Sequence, residues 1–309
     1  MSTARQIRID TPDGGHLAAE HHRADSDDLT DTHGRPCVVM AHGVGATRDC
    51  GLDGFAAALV AAGADVIAFD YRHFAGSSGE PRQLVHLQRQ IQDYHLAVGH
   101  ARSLSGVDPD RIVVWGVSLS GGHVLRVAAE DHRIAGVISL TPAVDGAAAV
   151  RTMLGAHGPG HVMRLLRIGL ADQLAALRHR PAVLAPIVGH PGEPAALCAP
   201  GAVDGMQAIA GPTWRNAISA RVLLRIGMYR PGAGAVRIAC PVLMQIADGD
   251  RSAPPGAATS AATRARATVH HYPCDHFDVY PGAAHHDRVT EHQKVFLRRV
   301  LAPRAVMVP

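Results

Sequence analysis

A serine hydroxyl becomes a useful nucleophile only when an imidazole takes its proton, and the imidazole needs a carboxylate to hold its tautomer. The 309-residue chain offers all three where a parallel sheet would gather them. Arg111-Ile112-Val113-Val114-Trp115 reads as a short buried strand that runs into Gly116-Val117-Ser118-Leu119-Ser120. Small residues two before and two after a serine let a strand turn at once into a helix, with the hydroxyl presented at the turn. The second small residue here is Ser120 rather than glycine, and Gly121-Gly122 follow. Ser120 is therefore read as the small residue the turn needs, not as a rival nucleophile, and Ser120→Gly is expected to keep activity. A serine and glycines at such a turn can also serve only as cap and packing, so the decision rests on partners elsewhere.

Those partners lie at two later strand ends. Asp248 and Asp250 follow the apolar run 241–246, and His276 follows the last strand, 267–272, ahead of the last helix. That position singles out His276 among 21 histidines. Asp145, after the strand 134–140, is a remote third acid, and Asp278 reads as a local cap or ion pair. A tetrahedral intermediate also needs two pre-aimed donors for its oxyanion. The backbone N–H of Leu119, at the start of the elbow helix, is one, and that of Val44, in His42-Gly43-Val44, is the expected second. The His42 side chain is read as ordering that loop.

The elements that must position these groups follow from apolar periodicity. An antiparallel hairpin, 6–9 with 16–20, turns through Pro12-Asp13-Gly14-Gly15, and a polar loop covers 25–34. Strands at 37–41, 65–69, 111–115 and 134–140 alternate with helices at 52–62, 86–104 and from Ser118 to about Glu130, with Gly63 closing the first helix. Such alternation implies right-handed crossovers and a mostly parallel sheet with helices on both faces. The rhythm breaks after Pro142 and resumes with a strand at 241–246, a helix at 255–266, a strand at 267–272 and a helix at 284–301. Between, helical patches at 163–177 and 214–226 flank a Pro/Gly-rich stretch, 181–212, with no strand expected. The reading is a core of residues 1–143 and 236–309 carrying a helical lid insertion, 144–235.

Composition excludes several function classes. The formal net charge is +3 and Lys294 is the single lysine, so positive charge is arginine interspersed with acidic residues, without the clustered footprint of a nucleic-acid binder. Five cysteines, an odd number without C-x-x-C spacing, argue against a disulfide framework or structural zinc. Many histidines but no H-E-x-x-H give no metal site. No signal-like apolar region opens the chain and no run of about 18 apolar residues occurs, so no membrane span and a cytoplasmic location are expected.

With His42-Gly43, Asp70-Tyr71-Arg72, Gly76 to Gly79, Gly116 to Gly122, Asp250 and His276-Phe277-Asp278 in this order, the chain resembles the α/β-hydrolase superfamily over nearly its full length. It looks most like bacterial members near the dienelactone-hydrolase, acetyl-xylan-esterase and X-prolyl-dipeptidase-like branches, which often carry a W-G-x-S-x-S-G-G elbow. It departs from dienelactone hydrolase proper, whose elbow nucleophile is usually cysteine. The resemblance favours Asp250 over Asp248, because Asp250 precedes Pro254 in a D-x-x-x-P turn like the acid loop of the superfamily. It implies a Ser118-Asp250-His276 hydrolase of a small-molecule carboxylic ester, working through an acyl-enzyme without cofactor or metal. A peptidase or thioesterase with the same triad, and a catalytically silent scaffold that binds a ligand or partner, are the alternatives. The sequence leaves the oligomeric state open.

Overall fold

Apolar, β-branched runs at regular intervals build the strands that organise the chain, whose computed structural model describes residues 4–303. The outer ends of the expected core, 1–3 and 304–309, lie outside the described residues. In chain order come β1 (Arg5–Asp10), β2 (His16–His22), β3 (Arg35–Ala41), α1 (Leu52–Ala61), β4 (Asp65–Phe69), α2 (Leu87–Ser103), β5 (Val107–Val117), α3 (Leu119–Glu130) and β6 (Gly136–Leu140). There follow α4 (Gly146–Leu177), β7 (Leu184–Ala185), α5 (Ala202–Ile209), β8 (Ile218–Ser219), β9 (Val242–Ala247), α6 (Pro255–Ala265), β10 (Thr268–Tyr272) and α7 (His286–Val300). The central sheet runs β1-β2-β4-β3-β5-β6-β9-β10, and only the β1–β2 and β2–β4 pairings are antiparallel. This is the α/β architecture the alternation implied.

Helices cover both faces, so β4, β6 and β9 are buried along their whole length. β5 is anchored from each side. The Tyr94 hydroxyl on α2 donates to the Trp115 carbonyl at 2.7 Å, and the Trp115 indole N–H donates to Gln293 Oε1 on α7 at 3.1 Å. Register then sets the strand ends level: Ala41 pairs with Gly116, Val117 with Leu140, and Ala247 with Tyr272. The loops after β3, β5, β9 and β10 therefore leave the sheet along one edge.

The segment between β6 and β9 departs from expectation. α4 starts well before Met163 and is two helices joined at Gly158, whose φ of 75° and ψ of 170° are not helical, with Pro159 opening the second. The Pro/Gly-rich stretch contains α5. Where a helix was expected over 214–226, the chain forms β8 and a short 3₁₀ turn, Ala220–Leu224, and β8 pairs with β7. Long-range bonds override the local apolar pattern there: the Ser219 amide donates to the Gln83 carbonyl at 2.7 Å and the Ala220 amide to Val183 at 3.0 Å. Asp172 of α4, buried, accepts from the Ser219 hydroxyl, the Val183 and Arg221 amides and the Arg221 guanidinium. No described helix is long and apolar enough to cross a membrane.

Candidate active site

Ser118 sits between β5 and α3 with φ 58° and ψ −120°, a backbone conformation that only a well-supported turn imposes on a residue with a side chain. The neighbours are glycines for steric reasons. A Cβ on Gly116 would lie 2.2 Å from the Ser120 carbonyl oxygen, and one on Gly122 would lie 2.3 Å from the Ala143 oxygen. Ser120 does more than stay small. Its fully buried hydroxyl donates to the Ala41 carbonyl at 2.7 Å and accepts the Val117 amide at 2.9 Å, stitching the elbow to the end of β3. That bond network is invisible in sequence, and it revises the expectation that glycine at 120 is harmless.

Of the two acids after β9, the structure pairs Asp250 with His276. His276 Nδ1–H donates to Asp250 Oδ2 at 2.7 Å, and both side chains are buried. The other oxygen, Oδ1, accepts the Ser252 and Ala253 amides at 2.8 and 2.6 Å, so the carboxylate is held at both ends. Asp248 instead meets His271 at 2.6 Å in solvent, Asp145 caps α4 and pairs with Arg230, and Asp278 accepts the Asp275 amide. Burial works against a charged His276, but the Asp250 carboxylate more than offsets it and holds the imidazole pKa above its ordinary value. With Nδ1 committed to Asp250, Nε2 is the lone pair the ring can offer a hydroxyl. Ser118 Oγ makes no hydrogen bond to it, or to any other group among the described residues; such bonds commonly tighten only when substrate binds.

The β3 loop closes the constellation. A Cβ on Gly43 would lie 3.1 Å from Ser118 Cβ, so the backbone before Val44 runs directly against the serine. The amides of Val44 and Leu119 have no acceptor among the described residues. His42 is buried and donates through Nδ1–H to the Gly43 carbonyl at 3.0 Å; burial pushes its pKa down to about 4, so the ring is neutral and orders the loop. Asp70, singled out in sequence only as part of a motif, is the other anchor: buried at the end of β4, it accepts both the amide and the guanidinium of Arg48. The signal was an aspartate immediately after a buried strand, with an arginine in the neighbouring loop.

The segment between β6 and β9 packs around these loops. A Cβ on Gly45, itself at φ 63°, would lie 2.5 Å from Ile187 and 2.7 Å from Ile218. Thr213 bonds Asp49 through both its amide and its hydroxyl. Beside the histidine, a Cβ on Gly205 of α5 would lie 2.5 Å from the Phe277 ring, whose centroid is 5.1 Å from that of His276. All five cysteines are free, and no group of three His, Cys, Asp or Glu among the described residues could hold a metal ion.

The sequence profile described as serine aminopeptidase, S33 (Hydrolase_4) matches residues 32–291. The chain is an α/β hydrolase of this family. The quorum-quenching protein AidA of Acinetobacter baumannii is 38% identical over 269 residues, 86% of this chain and 87% of its own length. The thiohydrolase aneE of Aspergillus aculeatus is 38% identical over 110 residues, 36% of this chain and 35% of its own. Among solved structures, DcsB in complex with its substrate analogue superposes with a TM-score of 0.79 at 20% identity, over 97% of this chain and 100% of DcsB. That likeness is one of fold.

Proposed function

We propose that this α/β hydrolase cleaves a carboxylic ester through an acyl-enzyme. Ser118 Oγ attacks the carbonyl as His276 Nε2 takes its proton, and the Val44 and Leu119 amides receive the oxyanion. His276 then protonates the departing alcohol, and a water activated by the same ring releases the acid. Asp250 orients the imidazole and stabilises its cation. The observation that carries this reading is the buried, doubly anchored Asp250–His276 pair on the same sheet edge as a serine in the strained elbow conformation. No cofactor enters the scheme.

The segment 144–235 forms the roof of the site, supported by its contacts to Gly45, Asp49 and Phe277. Similarity to a quorum-quenching protein favours a small signal molecule with an ester or lactone bond as substrate. A thioester is the second reading, favoured by the partial similarity to a thiohydrolase. Ser118→Ala is expected to abolish turnover of a short p-nitrophenyl ester and labelling by a fluorophosphonate probe while the thermal melt is retained. Absence of labelling in folded wild-type protein would point instead to a silent binding scaffold. Parallel assays on ester, lactone, thioester and aminoacyl-anilide substrates separate the acyl classes, the last being the peptidase alternative.

A further inference from the structure

The second half of α4 carries a feature that catalysis does not use. Met163, Leu166, Leu170, Leu174 and Leu177 recur at intervals of three, four, four and three residues, which places them in one stripe along a 3.6-residue helix. They are 38% to 69% exposed, whereas His161, Leu165, Gly169 and Asp172 on the opposite face are buried against the protein. The stripe is about 21 Å long at the helical rise, and five such side chains make a contiguous apolar patch of the size at which exposed patches are functional. A helix that needed only to roof a site would present polar residues here.

The charges beside the stripe are of one sign. Arg167 and Arg178 border one edge and Arg164 lies slightly further round, all exposed and none in an ion pair among the described residues. The sole carboxylate of α4, Asp172, is on the buried face and fully engaged by Arg221, Ser219 and Val183. Exposed Glu193, next in sequence to Gly192, turns back on the His190 amide, while Arg164 donates to the Gly192 carbonyl. An apolar stripe with an arginine edge and no carboxylate facing outward complements a surface that is apolar within and anionic at its rim. Two copies paired antiparallel through the stripe would bring their arginine edges together on the same side, which disfavours that pairing.

We propose that the outer face of α4 is a peripheral docking surface for an anionic lipid bilayer, with the Met163 to Leu177 stripe entering the acyl boundary and the arginines meeting phosphate headgroups. Docking is reversible and falls as salt rises, because the electrostatic part is screened. It does not rest on the triad: its readout is partition, not turnover.

The test is flotation of the full chain with phosphatidylcholine vesicles and with phosphatidylcholine–phosphatidylglycerol vesicles. The protein is expected to float with the anionic vesicles, less so with the neutral ones and less so in high salt. Leu170→Gln combined with Leu174→Gln should lower partition by about ten-fold or more with an unchanged thermal melt, since both side chains are already exposed. Arg167→Gln with Arg178→Gln should remove the preference for anionic vesicles. No flotation with anionic vesicles, or equal flotation of the leucine variant, overturns the proposal. So does a wild-type dimer in sedimentation equilibrium that the leucine variant dissolves while neither protein floats, which would assign the stripe to a second copy.

Discussion

The imidazole of His276 is pulled in two directions, and the balance makes its role testable. Burial disfavours the cation and the Asp250 carboxylate favours it more strongly, so the folded pKa lies above the ordinary histidine value. Only the neutral ring can take the Ser118 proton, so kcat/KM for an ester should rise with pH through that raised pKa and then level off. Asp250→Asn removes the larger favourable charge and leaves burial opposed only by the weaker influence of Asp275. It should cost roughly 10⁴-fold in kcat, as loss of tautomer control does elsewhere, and move the acid limb of the residual activity to lower pH; an unmoved limb in the pH–rate profile would detach Asp250 from the ring. Ser120 gives a second prediction at this scale. Glycine there leaves the turn sterically open but removes a fully buried hydroxyl that serves the Ala41 carbonyl and the Val117 amide. Ser120→Gly should therefore destabilise by about 1–3 kcal/mol and lower kcat, read from thermal melts alongside ester kinetics.

Three strands are pinned at the sheet edge opposite the site by one carboxylate. Asp65, at the start of β4, accepts from Arg35 of β3 at 2.9 Å, from His21 of β2 at 2.9 Å and from the Ala24 amide at 3.0 Å. Burial alone would raise its pKa, but the bonds from His21 and Arg35 outweigh burial and hold it well below the usual carboxylate range. A depressed carboxyl contributes stability that is fully present above about pH 4 and is lost as pH falls below it. Asp65→Asn should thus cost about 3 kcal/mol at neutral pH, and the gap to wild type in urea unfolding should narrow in acid. This edge, like the strands it joins, was legible as elements because buried strands announce themselves by continuous apolar runs. The order Ser118, Asp250, His276 was legible because each lies just beyond such a run. Spacing alone leaves Asp248 and Asp250, two residues apart on one turn, both open. The resemblance to the superfamily's acid loop favours Asp250, and the structure distinguishes the two by which histidine each reaches. Spacing also fails to resolve 214–226, where Ile218 and Val222 mimic a helical face while Gln83, Val183 and Asp172 hold the chain in another shape.

At the scale of the whole molecule the question is whether the proposed roof, 144–235, is a mobile lid or a fixed wall, and its contacts favour the wall. Buried His123 on α3 donates through Nε2–H to Gln90 and accepts the Tyr229 hydroxyl at Nδ1, at 3.0 and 2.6 Å, tying the roof to the core through a ring that burial keeps neutral, its pKa pushed down to about 3. On the side of His276, the backbone of Gly205 lies so close to Phe277 that a methyl group would sit 2.5 Å from the ring carbon Cγ and 2.6 Å from Cδ2. Gly205→Ala discriminates the two cases. If α5 swings freely, the methyl is accommodated by a slightly more open roof and kcat is untouched. If the roof is fixed, the ring of Phe277 must move instead, and its nearest ring partner is the imidazole of His276, 5.1 Å between centroids. The expected outcome is the second: a stability cost of about 1–3 kcal/mol from overpacking, a fall in kcat for a small ester that needs no opening, and little change in KM. Tyr229→Phe is the matched control. It leaves His123 Nδ1 without its donor and should cost a similar about 1–3 kcal/mol, yet it touches nothing beside His276, so kcat for the same ester should survive at temperatures where both variants are folded.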